Sequence, residues 1–312
     1  MKVLIYHPRS QEYFRMIRQM LPGLDIVAGN EEDFLDQNII DAEILITLQF
    51  PFNILKKATK LKWIQLTSAG VEQLLGARAN LRNILVTNTK GIHADVMADY
   101  TLGAIVMLHW NFTHFFLNKL NRRWDSRLTY PLAGKTLGII GVGTIGQEIT
   151  RRAQGFGLNV IGVKRNPILT EGIRQIFGPE GLHEMLSLCD FVVIVVPATS
   201  KTYHMIGESE LQSMKKTGFL INISRGSVLD ESALAKALQQ GWIAGAVLDV
   251  FEKEPLPQES SLWAMDNVII TPHISGDFIG YVERVAKVFN ENYIRWKHGG
   301  VLLNLVDIDR EY

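Results

Sequence analysis

The stretch Leu137–Gly146, LGIIGVGTIG, constrains this chain more than any other. The apolar run Leu137–Ile140 reads as a buried strand, and it runs straight into Gly141-Val142-Gly143-Thr144-Ile145-Gly146. From Thr144 to Phe156 the apolar residues Ile145, Ile149 and Ala153 recur at helical spacing. In a G-x-G-x-x-G turn placed this way, the first glycine allows a tight turn. The second lets the backbone approach a pyrophosphate, and the third lets helix and strand pack closely. The helix start then offers unbonded N–H groups and the positive end of its dipole to the phosphates. Glycine clusters also make ordinary turns, but the strand before and the helix after favour a dinucleotide. Gly141, Gly143 and Gly146, with Thr144 and Ile145 in the first helical turn, are the expected contacts.

The remaining strands define the fold class. Short apolar runs at Val3–Tyr6, Asp25–Ala28, Ile44–Leu48, Trp63–Leu66 and Ile84–Thr87 alternate with helical segments at Ser10–Leu21, Phe34–Ile40, Asn53–Ala58 and Glu72–Leu75. That alternation predicts a parallel sheet covered on both faces. A second series follows the glycine motif, at Asn159–Val163, Phe191–Val196, Gly218–Ile223, Ala244–Val250 and Val268–Thr271, for roughly six strands in a dinucleotide-binding arrangement. Between the two series, His93–Leu120 reads as one long helix, apolar around much of its circumference, suited to a linker or to a dimer contact. One more helix is expected from Ile279 to Trp296.

With 312 residues, 47% hydrophobic, 21% charged and no net charge, the composition is that of a globular protein of about two domains, and it gives no support to a nucleic-acid or acidic-membrane partner. The apolar N-terminal run is too short for a signal peptide and no run reaches a membrane span, so a cytoplasmic protein is expected. The lone Cys189 excludes an internal disulfide, and its place before an apolar strand suits a buried, inert thiol. No metal site is expected.

An NAD-binding domain carries an acidic residue about 20 positions beyond the glycines, for the ribose 2′-OH. Here that strand ends Val163-Lys164-Arg165-Asn166-Pro167. Two cations would attract a 2′-phosphate where a carboxylate would repel it. Lys164 and Arg165 therefore favour NADP(H), with NAD(H) left open; a solvated charged turn is the alternative.

Three further motifs each follow a strand: Ile221-Asn222-Ile223-Ser224-Arg225-Gly226, Asp249-Val250-Phe251-Glu252-Lys253-Glu254-Pro255 and Thr271-Pro272-His273-Ile274-Ser275. Singly, Arg225 could be a surface pair, Glu254 a solvated acid and His273 a turn residue. Together they set an Arg, a Glu and a His beyond strand carboxyl ends, on the side of the glycine loop. Thr67-Ser68-Ala69-Gly70-Val71, after the Trp63–Leu66 strand, could expose backbone N–H groups to an anion or be a plain turn.

With these motifs in this order, and with Val196-Pro197-Ala198-Thr199-Ser200-Lys201-Thr202 before them, the chain resembles the D-isomer-specific 2-hydroxyacid dehydrogenases along essentially its whole length, most closely the glyoxylate/hydroxypyruvate reductase branch. The resemblance implies an α/β fold of two Rossmann/flavodoxin-like, doubly wound parallel-sheet domains with a cleft between them. A discontinuous substrate domain would take 1–96 and 276–312, and the dinucleotide domain 97–275. The implied activity is NAD(P)H-dependent reduction of a small 2-keto acid to a D-2-hydroxy acid. His273 would give the proton, Glu254 would hold His273 and favour its protonated form, and Arg225 would bind the carboxylate and polarise the carbonyl. The N–H groups of Ala69 and Gly70 would take the rest of the carboxylate. Pro197, Thr202 and Ile223 would line the cofactor, and Asp249 would sit near the nicotinamide end. A homodimer is implied as well. Rival readings are a relative acting on another substrate, such as phosphoglycerate, formate or phosphite, and a dinucleotide-sensing binding protein. The chain's stopping shortly after its last helix weighs against a long, serine-regulated phosphoglycerate dehydrogenase.

Overall fold

The computed structural model describes residues 1–72, 74, 80–81 and 83–308, and the chain divides into two compact units, Met1–Ile92 with Phe278–Tyr312, and His93–Asp277. In the first, strands β1 (Lys2–Tyr6), β2 (Asp25–Gly29), β3 (Ile44–Thr47), β4 (Trp63–Leu66) and β5 (Leu85–Thr87) form a parallel sheet in the order β2-β1-β3-β4-β5. This is the flavodoxin-like order. β3 and β4 are buried at every residue, so they read as continuous apolar runs rather than alternating ones.

One face of this sheet is covered by α1 (Ser10–Met20) and by α9 (Tyr281–Lys297), which returns from near the end of the chain. Phe289 of α9 stacks on the fully buried Trp63 with ring centroids 5.2 Å apart. The other face is covered by α2 (Glu32–Asn38), through Leu35, and by Ile39 and Ile54. The helix expected at Asn53–Ala58 is a short 3₁₀ turn, Phe52–Lys56, entered from the extended Pro51. Ser10 is the first helical residue of α1; Arg9 holds the cap position, and its N–H donates to His7 Nδ1 at 2.8 Å. The segment expected at Glu72–Leu75 lies partly outside the described residues.

The second unit contains β6 (Thr136–Ile140), β7 (Asn159–Val163), β8 (Gln175–Phe177), β9 (Phe191–Ile194), β10 (Phe219–Asn222), β11 (Gly245–Leu248) and β12 (Val268–Ile270). All pair in parallel, in the order β12-β11-β10-β9-β6-β7-β8. That is the Rossmann order with one strand added at the β12 edge. Where six strands were expected there are seven; β8 is only three residues long and has no alternating pattern to announce it.

The long helix expected at His93–Leu120 is two helices, α3 (Ala94–Trp110) and α4 (Phe112–Leu120). Asn111 between them has φ +52°, a left-handed conformation that ends α3, and its side chain accepts the His114 N–H that opens α4. The break is invisible to periodicity because both helices are apolar. α3 packs on α5 (Thr144–Ala153), and Ile105 and Ile149 meet in a core with Ile139 and Val193. The remaining helices, α6 (Leu182–Leu188), α7 (Glu208–Ser213) and α8 (Glu231–Gln239), cover the opposite face; Leu186, Leu211 and Leu234 fill that core with Ile194 and Leu248. Cys189 is buried in the same core, and burial pushes its thiol up to about 12.

Candidate active site

The strand order of the second unit reverses between β6 and β9, and the glycine loop leaves β6 there. In open α/β sheets that point, beyond the strand carboxyl ends, is where ligands bind. Gly141 has φ +106°, and a Cβ on it would lie 2.6 Å from the carbonyl oxygen of Val195, just past β9. A Cβ on Gly146 would lie 2.6 Å from Gly141 O, whereas one on Gly143 would meet nothing within 4 Å. Two glycines thus close the turn and the middle one leaves open space. Among the described residues no side chain caps α5 and nothing bonds the N–H groups of its first turn, Thr144 to Gly146. The arrangement fits a dinucleotide pyrophosphate.

Lys164 and Arg165 follow β7 on the same edge. Lys164 is half-buried, with its N–H on Phe177 O at 3.0 Å, and Arg165 is exposed. Pro197 is exposed in the loop after β9. Thr202 Oγ1 folds that loop back, donating to Pro197 O at 2.7 Å and accepting the Thr199 N–H at 2.8 Å. Ile223 is 2% exposed and packs with Ile139, Val193 and Val247, so its side chain belongs to the core beneath the site.

Arg225 stands three residues past β10 in a turn built by Asn222. The fully buried Asn222 side chain accepts the Ser224 N–H at 3.1 Å and the Ser224 hydroxyl at 2.9 Å, and donates to Arg225 O at 3.1 Å. Arg225 Nη1 donates to Ser224 O at 2.7 Å. The next residue must be glycine: a Cβ on Gly226 would lie 1.8 Å from the carbonyl carbon of Phe251. The loop carrying Arg225 therefore rests directly on the loop carrying Glu254.

His273 Nδ1 lies 2.7 Å from Glu254 Oε2, and Glu254 Oε1 accepts the Phe251 N–H at 3.0 Å. An ionised carboxylate can only accept, so Nδ1 carries a hydrogen and Nε2 is the ring nitrogen able to take or give a proton. His273 itself has φ +54°, a strained backbone for a histidine. Asp249 holds it there. Fully buried, Asp249 accepts the Thr271 hydroxyl at 2.6 Å and the N–H groups of Ile274 and Ser275 at 2.9 Å each, while its carbonyl takes the His273 N–H at 2.8 Å. Tyr100 of α3 braces Thr271 from behind, with oxygens 2.6 Å apart. Burial pushes the Tyr100 hydroxyl up to about 12, so it stays protonated. Sequence reasoning assigned no role to Asn222, Thr271 or Tyr100. The Asn-x-Ser spacing could have signalled the first; nothing local signals the other two.

In the first unit, Ser68-Ala69-Gly70 follows β4 with every carbonyl engaged. Thr67 O accepts the Tyr281 hydroxyl at 2.7 Å and Ser68 O accepts the Thr89 N–H at 3.1 Å. Ala69 O accepts Asn88 Nδ2 at 2.8 Å and Gly70 O the Ser68 hydroxyl at 3.0 Å. The N–H groups of Ser68, Ala69 and Gly70 donate to nothing among the described residues. Among those residues there is also no cluster of metal-ligating side chains, and no helix long and apolar enough to cross a membrane.

Comparisons with known proteins identify the family. Residues 102–275 match the family described as D-isomer specific 2-hydroxyacid dehydrogenase, NAD binding domain. A glyoxylate reductase of Thermococcus onnurineus is 34% identical over 98% of this chain and 96% of its own length. A D-isomer specific 2-hydroxyacid dehydrogenase family protein of Aeromonas salmonicida subsp. salmonicida superposes with a TM-score of 0.90 at 36% identity, covering 99% of both chains. A D-isomer specific 2-hydroxyacid dehydrogenase of Xanthobacter autotrophicus, solved with NADPH and MES, gives 0.89 at 29% identity over 100% of this chain and 99% of that one. Fold and site thus define a nicotinamide-dinucleotide-dependent oxidoreductase acting on a CH–OH group. The chain belongs to the D-isomer-specific 2-hydroxyacid dehydrogenase family.

Proposed function

We propose that this protein reduces a small 2-keto acid of the glyoxylate or hydroxypyruvate kind to its D-2-hydroxy acid, with NADPH as the preferred reductant. The observation that carries the reading is the His273–Glu254 pair, 2.7 Å apart, standing with Arg225 beyond the carboxyl ends of neighbouring strands on the side of the glycine loop. A nicotinamide dinucleotide, held at the Gly141–Gly146 loop, would supply the hydride that the keto carbon needs. His273 Nε2 delivers the proton to the carbonyl oxygen, and Glu254 stabilises the imidazolium that must be present beforehand. Arg225 binds the substrate carboxylate and steadies the negative charge developing on the carbonyl oxygen. The amides of Ala69 and Gly70 take the carboxylate's remaining lone pairs. Asp249 serves by fixing the His273 loop near the nicotinamide end.

Lys164 and Arg165 favour the 2′-phosphate because no carboxylate stands at the end of β7. The NADPH bound by the Xanthobacter relative supports the same preference. Several curated relatives at 34–38% identity are glyoxylate reductases, which supports the substrate class. The apolar side chains left exposed on and after α3 and α4, including Trp110, Phe116, Leu120, Trp124 and Leu128, support a homodimer formed through this face. The lone buried thiol fits a cytoplasmic enzyme.

The test is a panel of glyoxylate, hydroxypyruvate, pyruvate and bulkier 2-keto acids with each reduced dinucleotide, alongside phosphoglycerate, formate and phosphite in the oxidising direction. Fast reduction of one of the small keto acids is expected. Turnover confined to the oxidised set would move the substrate class, and dinucleotide binding without turnover would make the protein a sensor.

A further inference from the structure

The loop Ser68-Ala69-Gly70 has all its carbonyls bonded, and its amides donate to nothing among the described residues. A peptide unit is planar and trans, so the C=O of one residue and the N–H of the next point in opposite directions. Whatever pins Ser68 O therefore aims the Ala69 N–H, and whatever pins Ala69 O aims the Gly70 N–H. The first pin is the Thr89 backbone; the second is the side chain of Asn88, with Nδ2 at 2.8 Å.

Asn88 is itself held on three sides. It is 5% exposed, and its Oδ1 accepts the Lys90 N–H at 3.0 Å, which closes a turn. Behind it runs the segment that follows α9. Leu305 bridges antiparallel to Thr87 of β5, and the Val306 N–H donates to Val86 O at 2.8 Å. Asn304, at φ +55°, accepts the Asn88 N–H through its own carbonyl at 3.2 Å. Its side chain donates to Lys90 O at 2.9 Å and Asn88 O at 3.3 Å. The fully buried Asn292 of α9 fixes this segment in turn, accepting the Leu303 N–H at 2.6 Å and donating to Leu303 O at 3.1 Å. A chain of three asparagines thus runs from α9 to the peptide whose N–H is Gly70's.

We propose that Asn88 is a positioning residue for substrate: through Ala69 O it holds the Gly70 N–H in the direction of the substrate carboxylate, and Asn304 holds Asn88. The proposal rests on the reading of this loop as the carboxylate site. It makes the segment after α9, through Asn304, part of substrate recognition.

The experiment compares wild type, Asn88→Ala and Asn304→Ala as full-length protein. It measures kcat and KM for glyoxylate, the inhibition constant of oxamate (an unreactive 2-keto acid analogue), and NADPH affinity by fluorescence. Misaligning one amide bonded to a charged group should raise KM for Asn88→Ala at least about fivefold. The oxamate constant should rise in parallel, with kcat within about twofold and NADPH affinity unchanged, as expected when only ground-state and transition-state binding are weakened together. Asn304→Ala should move the same two constants in the same direction by less, and it keeps the proposal testable if Asn88→Ala fails to fold. KM and oxamate binding equal to wild type would overturn the proposal, as would a parallel loss of kcat and NADPH affinity, which would mark a general structural role. If wild type binds oxamate in calorimetry but turns over no keto acid, the functional reading fails while oxamate affinity in the variants still decides this one. If wild type binds no oxamate, the carboxylate site and the proposal fall together.

Discussion

His273 Nδ1 and Glu254 Oε2 are 2.7 Å apart, and the other oxygen of that carboxylate is tied to Phe251 N at 3.0 Å. One oxygen fixes the glutamate to its own loop and the other fixes the ring. Glu254→Gln keeps the size of the side chain and removes its charge, so the imidazolium loses its partner. We expect kcat for keto-acid reduction to fall by about a hundredfold or more, the lower end of what a positioned acid contributes, with NADPH affinity retained. Steady-state kinetics with a fluorescence titration checks this; a kcat near wild type would remove Glu254 from the proton's path.

The cation pair after β7 gives a prediction about cofactor choice. Lys164→Asp with Arg165→Ala replaces attraction for a 2′-phosphate by repulsion. The ratio of kcat/KM for NADPH over NADH should drop by roughly tenfold to a hundredfold, the worth of a charge-assisted contact. An unchanged ratio would mean that the phosphate is read elsewhere.

Gly226 sets the distance between the Arg225 and Glu254 loops. In Gly226→Ala the new methyl would press on Phe251 C at 1.8 Å and Glu252 N at 2.2 Å, both backbone atoms, so the loops must separate. We expect a stability loss of about 1–3 kcal/mol, the usual range for overpacking, together with a fall in kcat. Thermal unfolding and activity are measured on the same sample. An unshifted midpoint would show that the loops yield freely.

The fold was legible where hydrophobic patterning was strong. Trp63–Leu66 and Asn159–Val163 form strands at those bounds, and the glycine loop lies between its strand and its helix. The misses have separate physical causes. Asn111 breaks an apolar helix through its backbone conformation, which hydrophobic spacing does not report. β8 is too short to show a period, and Pro51 leads into a 3₁₀ turn where a helix was expected. At the candidate site, Arg225, Glu254 and His273 were proposed from motif, chemistry and family resemblance, and the groups that hold them in place were not. Tyr100 reaches Thr271 from 171 positions away, and Asn304 reaches Asn88 from 216 away, so no local window contains either pair.

His7 gives a pH dependence. Burial, reinforced by the nearby Arg9, lowers its pKa from 6.5 to about 4, and its Nδ1 accepts the Arg9 N–H at the start of α1. The unfolded chain binds a proton more readily, so the stabilisation is present above about pH 6.5 and is lost as pH falls toward 4. Its ceiling is about 3 kcal/mol, from roughly 2.5 pH units at 1.36 kcal/mol each. His7→Asn keeps an acceptor and removes the titration. Urea midpoints for this variant should fall less over that range than those of wild type, and parallel slopes would contradict the assignment.

In the proposed reaction His273 gives the proton as NADPH reduces a 2-keto acid. Oxidation of NADPH by glyoxylate, followed by absorbance for wild type and His273→Ala at equal dinucleotide saturation, tests it most directly. Wild type should oxidise NADPH rapidly and the variant at least about a hundredfold more slowly, with NADPH still bound. Equal rates in the two proteins would contradict it.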